Sequence, residues 1–251
     1  MNGTDSIQSY IDSGAVVNLE CPTFTEFDKH RLSLQQTVKP GDFVCLDTVT
    51  KMLSTTRADR QVGSNPGEPL WDPAKVNKYF GDKEYLAVYN MATQLVMRAL
   101  LNLRARGAKI IVLAHEDEVT DAMAGMKMAG PQVNPAMVGE LIASSSDVFR
   151  LVALTNPVVN EAGKVVFPAD TRVLYLRRSD SYTAKFHVAR DRSDKIPKAL
   201  PNPTLPALWD TLGKVSSFLT VYAHPGAGKT TLMATATDKL LPTNTKQESK
   251  K

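Results

Sequence analysis

The stretch that most constrains this chain is FLTVYAHPGAGKTTLMATATDK, residues 218–239. An apolar, β-branched run leads into a glycine turn, and the turn leads into a helical pattern. That succession calls for a buried strand delivering a loop to a sheet edge with a helix leaving it, and so for an α/β fold. Ala223 to Thr230, AHPGAGKT, keeps the Walker A spacing with Ala223 in place of the first glycine. Gly226 and Gly228 let backbone N–H groups converge on phosphate oxygens. Lys229 reaches the outer phosphates, and Thr230 offers a hydroxyl to Mg²⁺. His224, Pro225, Ala227 and Thr231 complete the expected contact loop, and a helix N-terminus following it favours an anion.

A chain of 251 residues fits one large α/β domain more readily than two small ones. Five apolar runs read as buried strands of a mostly parallel sheet: Ala15–Leu19, Phe43–Leu46, Ile110–Ala114, Val148–Leu154 and Phe218–Tyr222. Lys83 to Arg104 carries helical periodicity and ends near Gly107, a C-cap residue, which predicts a βαβ unit. Alternation around Val173, Tyr175, Phe186 and Val188 predicts antiparallel strands extending one sheet edge. The Pro-rich segment after Lys195 reads as a linker, turning helical from about Thr204. Two long loops, Ser54–Pro73 and Glu116–Pro135, leave the carboxyl ends of strands, where open α/β sheets bind ligands. The polar ends, residues 1–5 and 242–251, are expected to fray.

Composition excludes little more. Apolar residues make up 43% and charged residues 22%, and no apolar run approaches the roughly 18 residues of a membrane span. The first residues lack the basic and apolar regions of a secretory signal, which predicts a cytoplasmic protein without a membrane partner. Cys21 and Cys45 follow apolar runs and read as buried thiols. A net charge of +4 permits contact with phosphates without requiring it.

A phosphate loop needs a second carboxylate for Mg²⁺ and a group that orients the attacking water. No residue after the loop qualifies, so both are sought upstream. DFVCLDTVT ends an apolar run with Asp47, suited to the metal, and AVVNLECPTF ends another with Glu20, suited to general-base work.

With those residues in view, the chain resembles the RecA-like ATPase core, especially phage-encoded ATP-binding proteins of recombination. AHPGAGKT, VVNLE, FVCLDTVT, IIVLAHE and FHVARDRS follow that family's cyclic order, cut between the phosphate-loop helix and the Glu-bearing strand, as in a circular permutation. The resemblance implies ATP and Mg²⁺ as ligands, Glu20 as general base, and Asp47 with Thr230 at the metal. It makes His115 a sensor of the γ-phosphate, and puts Arg190 and Arg192, on a hairpin, at the nucleotide of a neighbouring subunit. It implies a homo-oligomer acting on DNA, with single-stranded DNA favoured, in a host cytoplasm if phage-encoded. Arg57, Arg60 and Lys127, with Met126 and Met128, would then face DNA from the two long loops. Two alternatives stand beside it: an ATP-gated switch or assembly factor that touches no DNA, and a small-molecule kinase.

Overall fold

The computed structural model describes residues 8–55, 84–120, 127–133, 135–188 and 190–236. In chain order, helices α1 (Gln8–Asp12) and α2 (Phe24–Thr37) precede β1 (Phe43–Asp47), α3 (Val49–Thr55) and α4 (Glu84–Ala105). Next come β2 (Lys109–Thr120), β3 (Lys127–Pro131), α5 (Pro135–Ser144), β4 (Asp147–Ala153) and the small hairpin β5 (Val158–Val159) and β6 (Val165–Phe167). They are followed by β7 (Arg172–Tyr175), α6 (Arg190–Ser193), β8 (Ala199–Pro201), α7 (Leu205–Leu212), β9 (Phe218–Ala223) and α8 (Lys229–Ala234).

The fold is α/β. A seven-stranded sheet runs β1-β2-β9-β4-β7-β8, with β3 paired to β2 beyond that path. The first four strands are mutually parallel, while β7 and β8 extend the sheet antiparallel. β9 therefore sits in the middle although it is the last described strand in chain order. All six of its residues are buried, as a strand covered on both faces requires.

Period-two alternation divides the apolar residues between two cores. Ile110, Val112, Ala114, Phe218 and Tyr222 face helices α2 to α5, where Leu53, Val96, Met97 and Leu141 pack against them. Ile111, Leu113, Phe149, Leu219 and Val221 face the other side, where Leu208, Trp209 and Leu212 of α7 and Leu232 of α8 close the layer. Fully burying each of the Leu, Ile, Val, Phe and Met side chains contributes about 1.5–3 kcal/mol. Helix α2 starts at a capping box, Thr23 accepting from the Glu26 N–H while Glu26 accepts from the Thr23 N–H. Helix α4 stops at Gly107, whose φ of +92° and 2.9 Å clearance from Pro40 leave no room for a side chain.

The βαβ unit, the antiparallel extension and the helix capped by Thr204 follow the sequence expectation. Other elements differ. Ala15–Leu19 forms no strand, and Val17 is 78% exposed; an apolar run becomes a strand only where a sheet edge takes its hydrogen bonds. The expected loop after Ala114 is instead the long β2 returning as β3, so Glu116 to Thr120 are sheet-paired rather than irregular. Ser54 and Thr55 belong to α3, and the remainder of the expected Ser54–Pro73 loop lies outside the described residues, as do 1–5, 242–251 and Met126. Phe186 and Val188 are in no strand, since Lys185 alone bridges to Val148. Arg190–Ser193 is a helical turn and not part of a hairpin, whereas the Pro-rich linker contributes the edge strand β8. Among the described residues no helix is long and apolar enough to cross a membrane.

Candidate functional site

Because β1, β2, β9 and β4 run parallel, their carboxyl ends share one edge, and the glycine loop leaves β9 at its centre. Residues paired across strands project to the same face. Asp47 pairs with Leu113 and His115 with Ala223, which puts both on the α7–α8 face. Arg150 pairs with Tyr222, on the face of α4 and α5.

On the first face, the Thr230 hydroxyl donates to Asp47 Oδ2 at 2.5 Å, joining residues 183 positions apart. Lys229 is buried, and its ammonium donates to the loop carbonyls of Ala223 and His224, each at 3.1 Å. Burial pulls the Lys229 ammonium below the ordinary lysine range, while Asp47 and then Glu116 act against that shift. His115 is pushed below the ordinary histidine range by burial and by the Lys229 charge, with Asp47 opposing. Its backbone N–H donates to Thr50 Oγ1 at 2.9 Å, and Thr50 donates on to the Gln132 carbonyl at 2.8 Å. The middle of β2, where its pairing with β9 ends, is thereby tied to the first turn of α3, just after Asp47.

No cluster of three His, Cys, Asp or Glu side chains that could hold a metal occurs among the described residues. Thr230 and Asp47 alone would be protein ligands, leaving other positions to phosphate and water oxygens. That sparse, all-oxygen donor set fits Mg²⁺, which keeps most of its water, and does not fit a metal needing a closed protein cage.

On the second face sits a group the sequence reading did not single out. Glu116 receives Arg150 in a two-pronged pair, Nε to Oε2 at 2.8 Å and Nη2 to Oε1 at 2.6 Å. His224 of the glycine loop reaches the same carboxylate, Nε2 to Oε1 at 3.2 Å. The Glu116 side chain is only 5% exposed, and the bidentate bond holds the Arg150 guanidinium above its ordinary range. Arg150 also lies over the Tyr182 ring, 5.6 Å from its centre. Below it the Tyr222 hydroxyl donates to the carbonyls of Thr183 (2.6 Å) and Ala129 (3.0 Å), and burial raises its pKa. The only sequence signal for this pairing is alternation: Glu116 lies two residues beyond Ala114, on the Tyr222 face.

The remaining predicted residues are scattered. Glu20 is exposed in an irregular segment, not at a strand tip. Arg192 is exposed on α6 with its guanidinium against Gly213, before the amino end of β9 and so at the edge opposite the glycine loop; Arg190 belongs to the same turn. Lys127 is exposed but paired with Glu118 at 2.7 Å. Met128 is buried and accepts from the Thr183 hydroxyl, so it does not face outward as a contact residue would. Arg57 and Arg60 lie outside the described residues. No family model matches the chain, and comparison with curated proteins and solved structures yields no match.

Proposed function

We propose that this chain is a Mg²⁺-dependent P-loop ATPase of the RecA-like kind, circularly permuted, acting on single-stranded DNA as a homo-oligomer. The observation that carries the reading is the 2.5 Å bond between Thr230 and Asp47 beside the buried Lys229, which joins the glycine loop to the end of β1. Phosphate-loop sites need those partners: a hydroxyl and a carboxylate at the metal and a lysine at the outer phosphates. His115, in β2 between β1 and β9, pairs with Ala223 at the start of the glycine loop, which supports a role in sensing the γ-phosphate.

In this reading backbone N–H groups of Gly226 to Thr231 take the phosphates and Lys229 neutralises the charge that develops on them. Mg²⁺ would screen the outer phosphates when bound. Glu20 is the proposed base for the attacking water, and an arginine of a neighbouring subunit, Arg190 or Arg192, completes charge stabilisation. The test is ATP hydrolysis by the wild type, Lys229→Ala and Glu20→Gln. Lys229→Ala is expected to lose binding and turnover, and Glu20→Gln turnover alone. Unchanged turnover in Lys229→Ala sinks the reading.

A second reading, an ATP-gated switch without DNA, is favoured by one pairing: Glu118 neutralises Lys127, and Met128 is buried. Binding of a fluorescent single-stranded oligonucleotide, weakened steeply by salt and strengthened by ATP, separates the two.

A further inference from the structure

Arg172 begins β7 at the carboxyl edge of the sheet, paired with Ala153 at the end of β4. Its backbone is held from both sides, the N–H donating to Asn202 Oδ1 at 3.3 Å and the carbonyl accepting from the Asn202 N–H at 2.6 Å. Its side chain reaches the glycine loop. A Cβ built on Gly228 would lie 2.7 Å from both Nε and Cζ of Arg172 and 3.1 Å from Nη1. Only a point above the guanidinium plane satisfies those three distances together; a point in the plane would lie much nearer to Nη1 or much farther from it. Arg172 therefore lies flat on Gly228, and its bulk, with a φ of +88°, is a reason this position is glycine. The residue is exposed, and its guanidinium has no carboxylate or carbonyl partner among the described residues.

The sheet order gives this cation a direction relative to the ligand. Asp47 marks the metal side of the loop, on β1, two strands from β9. Arg172 lies on β7, two strands from β9 on the opposite side. A triphosphate whose metal-bound end points toward β1 sends its nucleoside end toward β4 and β7. A guanidinium is planar, weakly hydrated and suited to stacking on an aromatic face. With one face on the loop and no partner for its donors among the described residues, it offers the other face to a planar group.

We propose that Arg172 is the base-stacking residue of the site, forming with Gly228 a platform on which the base of the bound nucleoside triphosphate lies. The inference rests on the phosphate-loop reading above and adds what holds the nucleoside. Stacking of this kind tolerates any base, so Arg172 supplies affinity without selecting among nucleotides.

Calorimetric binding of the full chain to Mg·ATP and to Mg·tripolyphosphate, which has no base, provides the test. Arg172→Ala and Arg172→Lys should each weaken ATP by about tenfold and leave tripolyphosphate within about twofold of wild type, with unchanged thermal unfolding. Lysine keeps the charge and loses the plane. Full ATP affinity in Arg172→Lys, equal weakening of both probes in Arg172→Ala, or no change in either variant overturns the stacking role. If the wild type binds neither probe, the phosphate-loop reading falls and takes this one with it; if it binds both and Arg172 is neutral, only the platform falls.

Discussion

Asp47 and Glu116 are two carboxylates at one sheet edge, and both act electrostatically on Lys229. They are held in opposite ways. Glu116 is almost wholly enclosed and held by Arg150 and His224, with the arginine using both prongs. Asp47 is exposed, with one hydroxyl donor from Thr230. An enclosed carboxylate held by a two-pronged arginine braces its surroundings; one with an open side can still accept a metal or its water shell. The contrast separates the brace of the glycine loop from its open, metal-accessible side, although sequence position ranks the two residues alike.

The largest effect should come from breaking the brace. Glu116→Ala leaves Arg150 enclosed without its partner, and urea denaturation should show a loss of about 3 kcal/mol. A loss below about 1 kcal/mol would mean that water replaces the carboxylate and that the two acids are less different than their surroundings suggest. Asp47→Asn should leave that unfolding curve in place and instead weaken Mg²⁺-dependent ATP binding about tenfold, with little change when Mg²⁺ is withheld. Equal losses with and without the metal would assign Asp47 to structure.

His224 is mostly exposed, so His224→Ala should cost about 0.5 kcal/mol or less, a measurement that isolates the loop's share of the Glu116 cluster. The smallest effect concerns pH. Burial and Lys229 hold the His115 imidazole below its ordinary range, so the unfolded chain takes up the proton first as the solution is acidified. Stability should fall as pH drops through the histidine range near about 6.5, and rise as pH climbs out of it. Thermal melts of His115→Gln should show a flatter slope there than the wild type; an identical slope would remove His115 from the coupled group.

What could be read in advance follows from how local each signal is. The glycine loop, the strands ending near Leu46 and Tyr222, and the long helix before Gly107 announce themselves within a dozen residues, through periodicity and turn chemistry. Asp47 was legible because a strand end with a carboxylate is a local pattern. The Glu116–Arg150 pair spans 34 positions and depends on which strand lies between β2 and β4, which no window of sequence contains. Arg172 was passed over for the same reason: its meaning comes from Gly228, on a distant part of the chain. Ala15–Leu19 points the other way, since its apolar, β-branched run matches a strand but no strand pairs with it among the described residues.

The central position of β9 also bears on how the protein is made. β2 and β4 are translated before β9, so each waits with an open inner edge for residues 218–223. The parallel sheet cannot zip progressively from one end of the nascent chain, because its keystone arrives late and must insert between two strands already formed. Such long-range closure is slow and leaves unpaired edges exposed meanwhile, which makes a ribosome-bound chain still lacking β9 a substrate for chaperones rather than a partly working domain.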